Sequence, residues 1–170
     1  MNISVTPPNS FAPDGEDMKR ALRRLAGGVS VVTTGSGDRR TGATVTSAQS
    51  FSVAPPVMTV SLNRGSSAWR ELRETGVFCI NALSESQRFV AERFSGQGGI
   101  QGPARYEGAE WTTLATGAPA LIHALFAADC EVEEIVERHS HALIFGRVRA
   151  LRIGSGAPLI YAEGSYGSFV

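Results

Sequence analysis

What most constrains this chain is how its β-type segments are joined. Runs rich in Val, Thr and Ile follow one another through tight clusters of turn residues, not through helices of regular length. Residues 29–34 read VSVVTT, and Gly35-Ser36-Gly37-Asp38 then turns the chain into a return strand expected over 41–50. Ala54-Pro55-Pro56 stops that segment, and a further strand is expected over 57–63. Val77–Ala82 is an apolar run of strand length. Two long strand patterns, 121–138 and 141–153, meet at His139-Ser140. Strands linked by hairpins pair antiparallel. The pattern therefore predicts a mainly β fold with peripheral helices, an antiparallel barrel and not a doubly wound sheet.

Three short helices fit between these strands. Asp14 opens the first, in which Met18, Leu22 and Leu25 recur at helical spacing, and Gly27-Gly28 is expected to end it. Ser66 can cap a second carrying Ala68, Trp69 and Leu72, with Gly76 as its stop. Ser84 and Gln87 form the S-x-x-Q pattern of a capping box, opening a third through Phe89, Val90 and Phe94. Residues 1–13 carry Pro7, Pro8 and Pro13 and read as a flexible arm, which leaves 14–170 as one domain. Residues 95–108 hold Gly96, Gly98, Gly99, Gly102 and Gly108, a loop permissive enough to be functional or mobile.

Composition excludes some classes of function. Sixteen basic residues balance sixteen acidic ones. A surface built to neutralise many phosphates carries a basic excess, so nucleic acid is not the expected partner. No basic-then-apolar leader opens the chain and no apolar run approaches a membrane span, so a cytoplasmic protein is expected. Cys79 and Cys130 sit in apolar strand-like runs, outside any C-x-x-C spacing, and read as buried thiols. There is no P-loop, no dinucleotide-binding glycine fingerprint, no nucleophile elbow and no H-E-x-x-H. His139 and His141 alone do not make a metal site. Such poverty of acid–base machinery suits a reaction whose chemistry is carried by cofactors.

Polar candidates gather in two places. Thr44, Thr46, Ser47 and Ser50 decorate the segment before the double proline, as ligand contacts or simply as strand formers. Ser61, Asn63, Arg64, Ser66 and Ser67 end one strand and begin a helix, which suits either a phosphate or an ordinary N-cap. His141 is the plausible titrating group of the second half, unless it is only an exposed turn residue. Tyr161 and Tyr166 could close over a planar ligand or pack on a second subunit.

In order and spacing these segments resemble the short-chain flavin reductases that serve two-component monooxygenases. The likeness runs over about residues 15–169. It is carried by GGVSVVTT at 27–34, GATVTSAQSFSVAPP at 42–56, VSLN at 60–63, FCINAL at 78–83, GAP at 117–119, HALIFGRV at 141–148 and PLIY at 158–161. The resemblance implies an FMN-binding split β-barrel of antiparallel Greek-key type, a homodimer, and reduction of FMN or FAD by NADH or NADPH. A partner monooxygenase would receive the reduced flavin. It implies ring and ribityl contacts at Thr44, Val45, Thr46 and Ser47. Phosphate or diphosphate contacts would lie around Ser50, Phe51, Ser61, Leu62, Asn63, Arg64, Ser66 and Ser67. Asn81 and Ala82 would add backbone contacts, and Tyr166 would cover the cofactor. His141 would be the catalytic residue beside the nicotinamide, with Gly146 permitting close approach. Two rivals share this fold: a flavoprotein that retains its flavin as an oxidase or oxygenase, and a flavin-binding module without turnover.

Overall fold

A computed structural model of the protein describes Ala12 and residues 14–168. The arm expected over 1–13 lies outside the described residues, Ala12 apart. Helix α1 (Gly15–Leu22) is capped by Asp14, whose carboxylate accepts the N–H groups of Glu16 and Asp17. It stops at Leu22, short of the expected Leu25. Gly27-Gly28 is not its cap but a two-residue strand, β1 (Gly27–Gly28). Met18, Leu22 and Leu25 all remain exposed, so the apolar stripe of α1 is not part of the core.

The next elements are β2 (Ser30–Thr34), β3 (Thr41–Val45), β4 (Gln49–Val53) and β5 (Pro56–Asn63). The strand expected over 41–50 is thus two strands broken at Thr46-Ser47-Ala48. Helix α2 (Ser67–Thr75) is capped by Ser66, whose hydroxyl accepts the Trp69 N–H at 3.1 Å. It ends at Gly76, whose φ of 68° is a left-handed conformation that glycine adopts without strain. Strand β6 (Val77–Ala82) follows, then α3 (Arg88–Phe94), entered through the capping box of Ser84 and Gln87. Strands β7 (Trp111–Thr113) and β8 (Pro119–Leu121) form a separate ribbon. The long hairpin is β9 (Phe126–Arg138) with β10 (His141–Ile153). The expected strand 121–138 is therefore cut short at its start. Ile122 N–H bonds Glu110 O and Leu125 N–H bonds Ala82 O, so the stretch after Leu121 is a turn, with Ala124 buried and His123 exposed. Strand β11 (Leu159–Ala162) pairs with β1 on one edge and with β12 (Ser165–Ser168) on the other.

Seven strands form one antiparallel sheet in the order β3-β2-β6-β9-β10-β5-β4. Strand β5 precedes β6 in the chain but is separated from it by β9 and β10, a Greek-key type of return. The outer strands β3 and β4 are not hydrogen-bonded to each other, so the barrel is not closed by hydrogen bonds. One core fills the barrel, with Val60, Leu62, Trp69, Leu72, Phe78, Ile80 and Ile144. On β10 the buried residues Ala142, Ile144 and Gly146 alternate with outward ones, as the pleat requires. A second core under α3 joins Val31, Val90, Phe94, Tyr106, Leu121 and Leu159. Cys79 and Cys130 are buried free thiols, and burial pushes the Cys130 thiol up to about 12.

Candidate functional site

The break after β3 shapes the site. Among the described residues strand β3 pairs only with β2, which leaves its other edge without a strand partner there, and the chain then crosses toward β5. A groove of about 450 Å³ lies there, lined by Leu22, Ala43, Thr44, Val45, Thr46, Ser47, Ser61, Leu62, Asn63, Ser66 and His141. Antiparallel register between β5 and β10 sets His141 directly across from Asn63, and Leu143 across from Ser61. Residues nearly a hundred positions apart in the chain therefore face one groove because of sheet register alone.

Several of the hydroxyls are already committed within the protein. Thr44 Oγ1 donates to Ala91 O at 2.6 Å. Ser66 Oγ donates to Asn63 O while capping α2. Ser47 Oγ donates to Ser61 O at 2.9 Å and accepts the Ser61 N–H at 3.2 Å. It ties the segment after β3 to β5 and so holds one wall of the groove to the other. Ser47→Ala is therefore expected to lower the unfolding free energy of the ligand-free protein by about 1–2 kcal/mol. Thermal melting measures this, and an unchanged midpoint would mean that the link carries no weight.

Other groups have no hydrogen-bond partner among the described residues: the hydroxyls of Thr46 and Ser61, the Asn63 amide N–H groups and His141 Nε2. His141 is exposed, and its Nδ1 meets Ser140 Oγ at 2.9 Å, which leaves Nε2 for a ligand. The polar set thus offers hydroxyl, amide and imidazole groups over an apolar floor of Ala43 and Leu62. That chemistry fits a flat ring with polar edges better than a metal or a polyanion.

A second pocket, of about 490 Å³, adjoins the other side of the same residues. Thr44, Val45 and Thr46 line it together with Arg88, Glu92, Tyr161 and Tyr166. Tyr166 lies under the Arg88 guanidinium, 5.4 Å from ring centroid to Cζ, and packs edge-on against Tyr161. Burial, with Glu92 and Tyr161 adding to it, raises the Tyr166 phenol above its ordinary value, so it stands as a neutral O–H. Sequence reasoning did not single out Arg88 or Glu92. A helix opened by a capping box puts them on its exposed side, but only the fold shows that this side meets the β11–β12 hairpin.

The structure does not bring every candidate together. Ser50 and Phe51 sit on the outer strand β4, where Phe51 stacks edge-on with Phe145 at 5.0 Å. Neither lines the groove. Arg64 is held by Glu137 at 2.6 Å and donates to His139 O. Ser67 bonds Thr41 Oγ1 at 2.8 Å and faces a neighbouring cavity. Asn81 is fully buried, and its amide joins Val31 O, Thr33 Oγ1 and the Leu121 N–H. On both sides its backbone runs in the sheet, against Val31 and Ala127, and Ala82 O accepts Leu125 N–H. The expected backbone contacts at Asn81 and Ala82 are thus already taken by the protein. Gly146 is also a correction. It faces the core, where a Cβ would lie 2.4 Å from Phe78 Cζ, and not the groove. What approaches it closely is a phenylalanine ring of the protein itself.

Residues 22–169 match the model of the flavin reductase like domain. An FMN reductase (NADH), RutF 2 of Rhizobium rhizogenes, is 34% identical over 168 residues, 97% of this chain and 96% of its own. Among solved structures, BorF, the flavin reductase component of a bacterial two-component tryptophan halogenase, superposes with a TM-score of 0.83 at 26% identity. The match covers 91% of this chain and 98% of BorF. The styrene monooxygenase flavin reductase of Pseudomonas putida S12 gives 0.78 at 29% identity, over 91% and 97%.

Proposed function

The chain belongs to the flavin reductase like family, and on that premise we propose the reaction and the residues that serve it. The protein is a flavin reductase: a nicotinamide cofactor, NADH as in its curated relatives, reduces FMN or FAD by hydride transfer. The reduced flavin passes to a partner monooxygenase. The observation that carries the site is the groove in which His141 and Asn63 face the Thr46 edge with unfilled hydrogen-bonding capacity. When bound, flavin and nicotinamide supply the redox chemistry, and the chain supplies position. Thr46, Ser61 and Asn63 would hold the polar edges of the flavin, Ala43 and Leu62 its apolar face. N–H and O–H donors aimed at the flavin edge would stabilise negative charge where it develops. His141 Nε2 would orient the nicotinamide carboxamide, which sets the two rings at reacting distance.

Aerobic consumption of NADH and of NADPH with added FMN, FAD or riboflavin tests the reading. Turnover that depends on added flavin supports a reductase. Turnover carried by a flavin that stays with the protein, or none, would favour a retained-flavin enzyme or a binding module. His141→Ala is expected to raise the KM for NADH and lower turnover, together by about tenfold or more, while flavin affinity holds. Loss of flavin affinity with an unchanged KM would move His141 to the other ligand.

The assembly proposed is a homodimer. Leu22 at the groove mouth and Leu25, Phe51, Val53, Leu143, Leu151 and Ile153 are exposed apolar side chains. This much uncovered apolar surface marks an interaction face, and an obligate interface buries roughly 2,000 Å² or more. Sedimentation at micromolar concentration should show a dimer; a fully active monomer would remove this proposal. Residues 14–170 are taken as a single catalytic domain. No helix among the described residues is long and apolar enough to cross a membrane, in keeping with a cytoplasmic site of action.

A further inference from the structure

A cavity of about 690 Å³ lies beside the flavin groove, walled by the β2–β3 turn, the first turns of α2 and the glycine-bearing loop 96–105. Four arginines line it, Arg39, Arg40, Arg70 and Arg105, against two carboxylates, Asp38 and Glu71. The chain as a whole has no net charge, so this is a local concentration. Among the described residues only Arg39 is in an ion pair, with Glu71 at 3.0 Å. Arg105 donates to the carbonyls of Ile100 and Gly42 and has no carboxylate partner among the described residues. Burial lowers its pKa, which is the cost of a cation removed from water without a counter-ion. The Arg40 guanidinium lies 4.6 Å over the Tyr106 ring, and its Nε is buried without a hydrogen-bond partner among the described residues. Arg70 has neither ion pair nor side-chain hydrogen bond among the described residues.

Three guanidinium groups without an ion pair among the described residues thus surround one space, against the single unpaired carboxylate of Asp38. An unpaired buried donor and a desolvated cation are both costly, and a bound anion would relieve both. Guanidinium forks match the tetrahedral oxygens of phosphate, and the cavity is far larger than one ion but within the range of nucleotide sites. Backbone at Gly96 and Gly99 is bare, with nothing within 4 Å of where a Cβ would be, so a ligand can come close. We propose that this cavity binds the phosphoryl groups of a nucleotide. It shares a wall with the flavin groove, since Ser66 faces the groove and Ser67 faces the cavity. The phosphates therefore belong either to the adenylate half of a flavin dinucleotide leaving the groove, which rests on the flavin reading, or to a nucleotide bound alone.

ADP is the probe. Calorimetry should show ADP binding to the wild-type protein, weakened by added salt and by about tenfold or more in Arg70→Glu and in Arg40→Gln. Arg70 is exposed, so its replacement leaves the fold intact even where Arg40→Gln loosens the Tyr106 packing. No ADP binding in the wild type, or equal binding in all three proteins, overturns the proposal. Competition then separates the sources. ADP that displaces FAD but not riboflavin assigns the cavity to the dinucleotide, and ADP that displaces neither assigns it to a separate nucleotide. ADP that displaces riboflavin as well would place it in the groove and overturn the proposal. Wild-type reduction of FMN and of FAD by NADH is measured alongside: the absence of both would remove the reductase reading and leave the ADP titration standing.

Discussion

Asn81→Ala is expected to destabilise the protein by about 3–5 kcal/mol, from orphaned groups at roughly 1–3 kcal/mol each. The side chain is a three-way junction. Its amide N–H groups reach Val31 O and Thr33 Oγ1, both at 3.0 Å, and its Oδ1 accepts the Leu121 N–H at 2.7 Å. It therefore fastens β8 to the β2–β6 pair in a fully buried position. A loss of this size is a large share of an ordinary domain's stability, about 5–15 kcal/mol. Denaturant unfolding measures it. A double cycle with Thr33→Val should show the two residues coupled, because they share a hydrogen bond. If stability stays within about 1 kcal/mol of wild type while flavin affinity collapses, Asn81 contacts the ligand after all.

How much of this was legible in the sequence varied with how local the cause was. The N-cap at Ser66, the capping box of Ser84 and Gln87 and the left-handed stop at Gly76 are set by residues three or four apart, and each formed as expected. The β9–β10 hairpin was equally plain, since long strands on either side of a two-residue turn have few alternatives. Sheet order was not. Nothing within residues 41–53 says that β3 and β4 lie at opposite ends of a seven-stranded order, because strand partners are chosen by contacts far away in the chain. The apolar stripe of α1 looked like a core face, yet periodicity cannot tell a buried face from one left exposed. At the candidate groove, the hydroxyl-rich segments looked alike in the sequence, and only hydrogen-bond geometry separated committed groups such as Thr44 and Ser47 from Thr46 and Ser61. The arginine-lined cavity joins three distant segments and no motif announces it.

Gly146 shows how one residue supports two explanations until its surroundings are known. A glycine on a strand that starts with His141 reads naturally as room for a ligand ring. In the fold the room is filled: a Cβ would meet Phe78 at 2.4 and 2.7 Å and Cys130 Cβ at 2.9 Å. Phe78 has no accessible surface and is boxed in by the barrel core, so it cannot swing aside. A register shift between Phe145 and Gly146 in the β9–β10 pairing adjusts the strand at this point. Gly146→Ala is therefore expected to cost about 3 kcal/mol, the upper end for overpacking. Pairing it with Phe78→Leu should recover part of the loss, making the two changes strongly non-additive. The folded fraction of the single variant should bind flavin and NADH as the wild type does. A variant of wild-type stability with a raised KM for NADH would put the nicotinamide, and not Phe78, against this glycine.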